Sequence, residues 1–461
     1  MQVLTKNFRN FYLALLYFFY FTLVLILPSF LHMSFQLSHS NSFFISLVLF
    51  FIIFYIKYKK EIISINPKKI LFGIVCLVLL HGIVSSFLID TFDYSRFFLS
   101  LIYLIFMIFV AQTFYGVSQR INDVAFSWSA NIMFYVLLVL GFLSSYGFNI
   151  SGAAGKPIFY YDEPSKFALV IIPFFIYRFV KSSYLERLLI AALTFKLALI
   201  LPSVTLLIVL ISAPILFLKP LKFFSIYLTY FFVILSSLSS GTYTYFVTRI
   251  PFYHITQNQI QIQIEIQGEN NIEQNAINSR LNVLPLPLST CIPLGASRPP
   301  PVVHIGLSTQ SRDVYYSGWL RGFYNFKSTF GLGLGFQQLG FRGCIDKFLI
   351  EYWPLNLKDG GTVGAKIFNE FGLFGLVFLG FYIIVLKSKI KRIRNFVNYK
   401  KNNLNNYKNV FIFLDIAYIS FFINLFVRGT GYFDASGFLF LISSFGLFHT
   451  IKLHFKTHAK I

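Results

Sequence analysis

The sequence predicts an all-α polytopic membrane protein with about twelve transmembrane helices and one large loop outside the bilayer. Hydrophobic residues make up 56% of the 461-residue chain, aromatic residues make up 20%, and the mean hydropathy is +0.68. Charged residues make up 12%, about half the share of a typical soluble domain. Apolar runs recur from end to end, and each is about 17 residues or longer, enough to cross a bilayer as a helix.

Twelve apolar segments are predicted to span the membrane, and they divide the chain into three regions. The spans cover residues 10–31, 40–57, 69–89, 97–115, 123–147, 165–181, 185–201, 203–218, 221–241, 363–386, 409–427 and 432–451. Residues 1–241 hold nine spans, residues 242–362 form the large loop, and residues 363–461 hold three spans and a tail. Cys76 lies within the third span, where we expect it to be part of the core.

The distribution of charge predicts the orientation. A balance of 39 basic and 17 acidic residues gives +22, which in a soluble protein would suggest a nucleic acid partner. Here the basic residues cluster in alternate connecting segments, such as "KSKIKRIRNFVNYKK" at residues 387–401. The positive-inside rule therefore predicts cytoplasmic termini, a large loop on the outer face, and membrane lipids rather than nucleic acid as partners.

The first part of the loop is predicted to be extended. The stretch "QIQIQIEIQ" (Gln259–Gln267) alternates apolar and polar residues, which predicts a strand, either at a structural edge or as an interfacial ribbon. The prolines of the next segment favour an extended path. Cys291 and Cys344 share this loop and could form a disulfide in an oxidising compartment or stay apart.

A helix is predicted near the end of the loop, from Ser311 to about Thr329. Its helical wheel separates an apolar side from a polar side. The apolar side holds Tyr316, Leu320, Phe323 and Phe330, and the polar side holds Ser317, Arg321, Asn325 and Ser328. Such a helix suits the membrane surface, with Arg321 either solvated or in contact with a ligand.

The stretch "FGLGLGF" follows this helix and places glycines at every second position. Gly333 and Gly335 are candidate binding residues because glycine lets a backbone approach a ligand closely. The stretch lacks the lysine and Ser/Thr of a P-loop. An anionic ligand at the outer membrane surface fits it better than a nucleotide.

Two short segments between spans carry further candidates. In "YYDEPSKFAL", Glu163 precedes Pro164 and is either the start of a helix or a carboxylate that serves as general base. In "VRGTGYFDASG", the glycines fit a tight turn, but Arg428 is also suited to phosphate groups.

Three further candidates are charged or titratable residues inside the predicted spans. Lys196 is a functional candidate because a charge within the bilayer is costly, although it could instead extend to the surface. His81 and Asp415 are weaker cases of the same kind. The histidines and cysteines show no metal-ligand spacing, so we expect no metal and no cofactor.

Four segments, in this order along the chain, resemble the O-antigen polymerases of the Wzy type. They are "YYDEPSKFAL", "SGWLRGFYNFKSTFGLGLGFQQLG", "DGGTVGAKIFNEFGLFG" and "RGTGYF". The wider O-antigen polymerase/ligase superfamily shares an E-x-G-x-x-G pattern, present here as Glu370, Gly372 and Gly375. Many members of the polymerase family carry a histidine after the E-P-S segment, where this chain has Lys166.

The resemblance implies a GT-C-like, metal-independent glycosyltransferase that joins oligosaccharide repeat units carried on undecaprenyl diphosphate at the periplasmic face. It places the protein in the bacterial inner membrane, and it implies that Arg321, Arg312 and Arg428 bind diphosphate or sugar and that Glu163 serves as base or hydrogen-bond acceptor. Arg312 and Arg321 are nine residues apart, so both reach one ligand only near a helix end. A flippase and a chain-length regulator are the expected protein partners. An O-antigen ligase and a lipid-linked oligosaccharide flippase or transporter remain alternatives.

Overall fold

The computed structural model describes residues 2–63, 68–89, 92–118, 120–147, 158–161, 163–201, 203–238, 307–339, 361–398, 408–429 and 431–458. Within these ranges the regular elements are α-helices, apart from one bridge between Ile158 and Tyr161. The described residues therefore confirm the all-α class. The predicted strand at residues 259–267, and both Cys291 and Cys344, lie outside the described residues.

Fourteen helices are present in the described residues. They are α1 (Gln2–Leu25), α2 (Leu27–Phe35), α3 (His39–Ile63), α4 (Lys68–Leu88), α5 (Tyr94–Ser118), α6 (Asp123–Ser145), α7 (Pro164–Lys181), α8 (Tyr184–Ile200), α9 (Val204–Phe217), α10 (Pro220–Leu238), α11 (Leu307–Ser328), α12 (Val363–Asn398), α13 (Asn409–Phe426) and α14 (Ala435–His458).

Most of these helices match the predicted spans to within a few residues, and the first span is the clearest difference. That span was expected to run unbroken from residue 10 to residue 31, but it divides into α1 and α2 at Ile26. Pro28 explains the break, because its ring has no N–H to donate and would clash with the carbonyl of the preceding turn. The helix predicted from Ser311 to Thr329 is confirmed as α11.

Six described helices are long and apolar enough to cross a membrane. They are α1, α3, α5, α6, α12 and α13, and shorter apolar stretches lie in α4, α9, α10 and α14. Helix α7 carries Lys166, Arg178 and Lys181, which lowers its apolar character. The structure is therefore that of a membrane-spanning helical protein.

The helices form a bundle with a different polar cluster at each end. At one end, called here the Asp123 end, Asn409 Nδ2 donates to Asp123 Oδ2 at 2.6 Å, and Lys181 Nζ donates to Asn409 Oδ1 at 2.6 Å. These bonds join the start of α6, the end of α7 and the start of α13. The opposite end, called here the Glu163 end, is where α7, α12 and α14 begin and α1 and α13 end.

A buried ion pair joins α12 to α13. Lys389 and Asp415 are 3% and 4% exposed and form a salt bridge, and Arg392 Nη1 lies 3.2 Å from Asp415 Oδ2. The Lys389 ammonium also lies 4.9 Å from the centre of the Tyr418 ring. The sequence makes Asp415 a candidate because it lies within a predicted span. In the structure it is paired with Lys389 and Arg392.

Helix α4 lies at the periphery, and this changes the interpretation of Cys76. The prediction that Cys76 belongs to the core is wrong, because its side chain is exposed. Helix α4 packs chiefly against α5, so much of its surface is left uncovered by other helices.

Candidate functional site

The Glu163 end brings together two of the predicted site residues, which are 265 positions apart in the chain. Arg428 Nη2 donates to Glu163 Oε2 at 2.7 Å, and Ser165 Oγ donates to the same oxygen at 2.8 Å. Side-chain exposure is 21% for Arg428 and 43% for Glu163. The pair therefore lies at the rim of the bundle, where a ligand can reach it.

Local sequence positions both members of this pair. Pro164 opens α7, which makes Glu163 the residue before the first turn, yet its carboxylate caps no backbone N–H. Arg428 follows α13, and its N–H donates to the carbonyl of Ile423 at 2.8 Å. Gly429 then packs so tightly on the start of α12 that a Cβ would lie 2.5 Å from the nitrogen of Val363.

Glu163 is held as a carboxylate. Burial acts to raise its pKa, but the charge of Arg428, the hydrogen bonds from Ser165 and Arg428, and the charge of Lys166 outweigh burial. The net result is a pKa below the ordinary value of 4.5. At neutral pH this side chain accepts hydrogen bonds readily but is a weak base.

An open cleft of about 570 Å³ lies at the same end of the bundle. Its walls come from five helices and the turns beside them. The lining residues are Leu25, Pro28, Ser29, His39, Phe43, Tyr161, Lys166, Leu169, Val170, Phe433, Asp434, Ala435 and Ser436. Apolar and aromatic surface is thus combined with a cation, a carboxylate, an imidazole and hydroxyl groups, a mixture that suits a carbohydrate.

A second, narrower gap between the helices shares Leu25 with the cleft. Its lining is almost entirely apolar, with Tyr17, Tyr20, Phe21, Val24, Leu25, Phe50, Phe114, Ile121, Phe126, Phe438, Leu439 and Ile442. The mixed cleft therefore borders an apolar gap between the helices.

Lys166 has an imidazole partner from another helix. Its Nζ donates to His39 Nε2 at 2.8 Å, and the ring of His39 lies against the ring of His32 with 3.6 Å between centroids. His32 Nδ1 in turn donates to the carbonyl of Leu37 at 2.5 Å. Sequence reasoning missed His39, because no spacing along the chain connects the start of α3 with the start of α7.

Helix α11 turns Arg321 and Asn325, two residues of its predicted polar side, toward the interior, so the alternative of a solvated Arg321 is wrong. Gly318 and Asn325 face α12, because Asn325 Nδ2 donates to Asn369 Oδ1 at 2.7 Å and Asn369 Nδ2 donates to the carbonyl of Gly318 at 2.8 Å. Arg321 is only 2% exposed. Phe323, at 64% exposure, lies on the outside of the bundle, as the predicted apolar face requires.

The "FGLGLGF" stretch packs against a break in α12 rather than around an open space. Gly372 has a φ of +52°, and the helix bends there so sharply that a Cβ on Gly375 would lie 2.6 Å from the carbonyl oxygen of Ile367. In a straight helix those two residues would be about 12 Å apart along the axis. Residues 363–370, before the break, are all buried.

Backbone hydrogen bonds join the glycine stretch to both sides of this break. Leu373 N donates to the carbonyl of Gly331 at 2.8 Å, and Gly335 N donates to the carbonyl of Glu370 at 2.8 Å. A Cβ on Gly333 would lie 2.6 Å from the oxygen of Glu370. The close approach that the glycines allow is therefore made to α12, and a role of Gly333 and Gly335 in ligand binding stays a prediction.

A buried polar network surrounds this junction. Gln337 has a φ of +60°, and its Oε1 accepts from Lys366 Nζ at 3.2 Å and from Arg96 Nη2 at 3.5 Å. Glu370 is fully buried and accepts from Leu339 N at 3.4 Å. The network ties the starts of α5 and α12 to the glycine stretch. Lys366 was missed as a site residue, although its four-residue spacing from Glu370 places both on one helix face.

The remaining sequence candidates lie elsewhere or outside the described side chains. Lys196 is exposed on α8, which packs chiefly against α7, α9 and α10. The backbone of Arg312 belongs to α11, but its side chain is outside the described residues. His81 is buried, and its Nε2 lies 2.9 Å from the carbonyl oxygen of Leu332, so it secures the glycine stretch to α4.

Within the described ranges, no three His, Cys, Asp or Glu side chains come together as a metal site would require. Comparisons with models of protein families, with curated proteins and with solved structures found no match to this chain. The geometry of the Glu163 end is therefore the basis on which a function can be proposed.

Proposed function

We propose that this protein is an O-antigen polysaccharide polymerase, a metal-independent glycosyltransferase of the inner membrane. In this proposal twelve spans cross the bilayer, both termini are cytoplasmic and the Glu163 end faces the periplasm. The substrates are oligosaccharide repeat units linked to undecaprenyl diphosphate. The motif resemblance supports the identity of the substrates, and the Glu163–Arg428 pair supports the site.

The reaction requires a nucleophile, a leaving group and a destination for one proton. A hydroxyl oxygen of the incoming repeat attacks the anomeric carbon of the growing chain and forms the new glycosidic bond. The bond from that carbon to the diphosphate oxygen breaks, and its electron pair leaves with undecaprenyl diphosphate. The hydroxyl proton passes to a carboxylate, to the departing diphosphate or to water.

The observation that carries the proposal is the pairing of Arg428 with Glu163 at 2.7 Å at the rim of the bundle. A guanidinium offers five N–H donors in a planar fork that matches phosphate oxygens, so Arg428 can hold the diphosphate while one nitrogen stays on Glu163. Fixed positive charge at the leaving oxygen stabilises the charge that develops there.

Glu163 then orients Arg428 and accepts a hydrogen bond from the attacking hydroxyl. Its lowered pKa favours this role over full proton abstraction. The neighbouring cleft supplies polar and aromatic walls for sugars. Arg321, which is buried, contributes in this proposal by positive charge from within the protein.

A transporter of lipid-linked oligosaccharides is the second candidate. The buried Lys389–Asp415 pair favours it, because charges within spans often mark transport pathways. The concentration of polar groups at the Glu163 end favours surface chemistry instead, since transporters usually place their sites near the midplane of the membrane.

The phenotype of a deletion strain tests the proposal. Loss of a polymerase should leave lipopolysaccharide that carries a single repeat unit, because flipping and ligation continue while chain growth stops. Loss of a ligase should leave bare core with polymer held on its lipid carrier. Loss of a flippase should leave bare core with single lipid-linked units on the cytoplasmic side. A bare-core gel pattern, restored by the gene in trans, would refute the polymerase proposal.

A further inference from the structure

The long second half of α12 presents one continuous exposed stripe whose chemistry changes along its length. After the break at Gly372 the helix has a broad exposed face, and within it one series of exposed positions recurs at steps of three and four residues and so stays on one side of the helix. The apolar part of the stripe consists of Leu373, Val377, Gly380 and Ile384, and the basic part consists of Lys387, Lys391 and Arg394.

The opposite side of the same helix is buried at the same steps. Its residues are Leu379, Tyr382, Leu386, Lys389, Ile393 and Phe396. Lys389 pairs with Asp415 of α13, and the Phe396 ring lies 5.5 Å from the ammonium of Lys181 of α7. These contacts hold the helix in one rotation, so the stripe points away from the bundle at every turn.

The stripe changes from apolar to basic residues at a position along the helix that matches the layers of a bilayer. Leu373 and Lys387 are separated by about 21 Å along the helix axis, most of the ~30 Å hydrocarbon thickness. The three basic residues then cover about 10 Å more, roughly the depth of a headgroup layer. The side of α12 that meets hydrocarbon tails therefore continues directly into cations at headgroup depth.

We propose that Lys387, Lys391 and Arg394 form a binding site for the headgroup of an anionic membrane phospholipid, whose acyl chains lie along Val377 and Ile384. The stripe carries the proposal, because its apolar part and its basic part lie on the same side of α12, where one lipid can contact both. Asp415, the acid that neutralises this part of α12, lies on the buried side with Lys389. Juxtamembrane cations attract anionic lipid by about 1 kcal/mol each. The proposal does not depend on glycosyl transfer.

The chain contains a matched control on another helix. Lys57, Lys59 and Lys60 are exposed near the end of α3, so they also supply three cations beside a span. They do not form a stripe, because the backbone at Tyr58 departs from helical geometry with φ −119° and ψ 26°. Replacing these three lysines removes as much charge as the α12 variant does but leaves the α12 stripe intact.

Native mass spectrometry of the full chain in detergent, titrated with phosphatidylglycerol or with phosphatidylcholine, tests this site. The triple variant K387Q/K391Q/R394Q should bind the first phosphatidylglycerol at least about tenfold more weakly than wild type. Its binding of phosphatidylcholine should be unchanged, which also shows that the variant is folded. The triple variant K57Q/K59Q/K60Q should keep wild-type affinity for phosphatidylglycerol.

Two results would overturn the proposal. Unchanged phosphatidylglycerol affinity in the α12 triple variant would show that the stripe binds no anionic headgroup. An equal loss in the α3 triple variant would show that net charge alone is responsible. The single variant K391E adds a graded test, since a reversed charge in the middle of the stripe should weaken binding more than K391Q does.

Discussion

At the scale of single residues, the Glu163–Arg428 pair is better suited to function than to stability. Both side chains are partly exposed, and exposed ion pairs typically contribute only about 0–1 kcal/mol to folding. Arg321 is the opposite case, because its 2% exposure means that its replacement would disturb packing as well as charge. Substitutions at the pair are therefore more informative than substitutions at Arg321.

The first prediction concerns this pair. Arg428→Ala should abolish polymer growth, and Arg428→Lys should retain little activity, because lysine keeps the charge but loses the planar fork. Glu163→Gln should lower the rate by about 100-fold or more, since the amide cannot hold Arg428 as a carboxylate does. Polymer length on gels and a single-turnover rate with lipid-linked repeats measure the effect. As a control, the thermal unfolding midpoint of each variant should stay near that of wild type. Normal activity of these variants at a normal protein level would contradict the roles assigned to Arg428 and Glu163.

The second prediction concerns pH. Because the pKa of Glu163 is lowered, the ion pair should be complete at neutral pH and should be lost only as pH falls through a value below 4.5. Infrared difference spectra of wild type against Glu163→Gln should therefore show no protonated carboxyl band from Glu163 between about pH 5 and 8. Growth of that band near pH 6 would show that burial outweighs Arg428, contrary to our assignment.

At the scale of elements, the glycine stretch and the break in α12 form one structural unit. Neither segment can keep its conformation without the other, because their backbones are in direct contact. Gly372 has a positive φ, and a Cβ there would lie 2.1 Å from the oxygen of Gly331. The unit in turn supports Gln337 and the start of α12, on which Gly429 and hence Arg428 are seated.

The third prediction tests this unit. Gly372→Ala should destabilise the protein by about 2 kcal/mol or more, through backbone collision and strain. Gly380→Ala is the matched control on the same helix, because no atom lies within 4 Å of the added Cβ. The control should be neutral or slightly stabilising, by up to about 1 kcal/mol. Thermal unfolding in detergent micelles measures both, and equal midpoints for the two variants would show that the break is not constrained.

The fourth prediction concerns the ion pair between α12 and α13. Asp415→Asn should cost about 3 kcal/mol, because the buried Lys389 loses its partner, whereas Lys389→Met should cost less, because Arg392 still pairs with Asp415. The double variant should be less destabilised than the sum of the single variants. The partly exposed Arg178–Glu186 pair is the control, and breaking it should cost less than about 1 kcal/mol. If the double variant lost as much stability as the two single variants together, the pairing of Lys389 with Asp415 would be contradicted.

At the scale of the whole molecule, the charge distribution predicts which end of the bundle faces outward. Basic residues crowd the Asp123 end, for example along the last turns of α12. Among the described residues, the Glu163 end holds the mixed cleft and fewer cations than the Asp123 end. If the reaction on lipid-linked sugars takes place at the periplasmic face, the Glu163 end must face the periplasm.

The fifth prediction tests this orientation. In a chain from which the three native cysteines have been removed, Asn270→Cys should react with an impermeant thiol reagent in intact spheroplasts. Asn395→Cys, exposed at the opposite end of α12, should react only after lysis. Labelling in the reverse order would place the Glu163 end in the cytoplasm and would remove the basis for a periplasmic polymerase.

Much of the fold could be predicted from the sequence because its information is local. A helix such as α13 was predicted at residues 409–427 and found at Asn409–Phe426, since an apolar run of this length has few other structures in a membrane. The start of α7 at Pro164 was likewise visible, because proline suits the first turn. The division at Ile26 was missed because the hydrophobic run continues through Pro28.

The candidate site could be predicted only in part, because it depends on contacts between distant segments. The sequence by itself determined the helical class, the apolar spans and the residue types suited to binding an anion, since each follows from neighbouring residues. Only the tertiary structure decided that Arg428 meets Glu163, that His39 meets Lys166, that Arg321 is buried, and that the glycines pair with the break in α12. The physical reason is that these contacts arise from the packing of helices far apart in the chain, and helical periodicity specifies which face is apolar but not which helix will cover it.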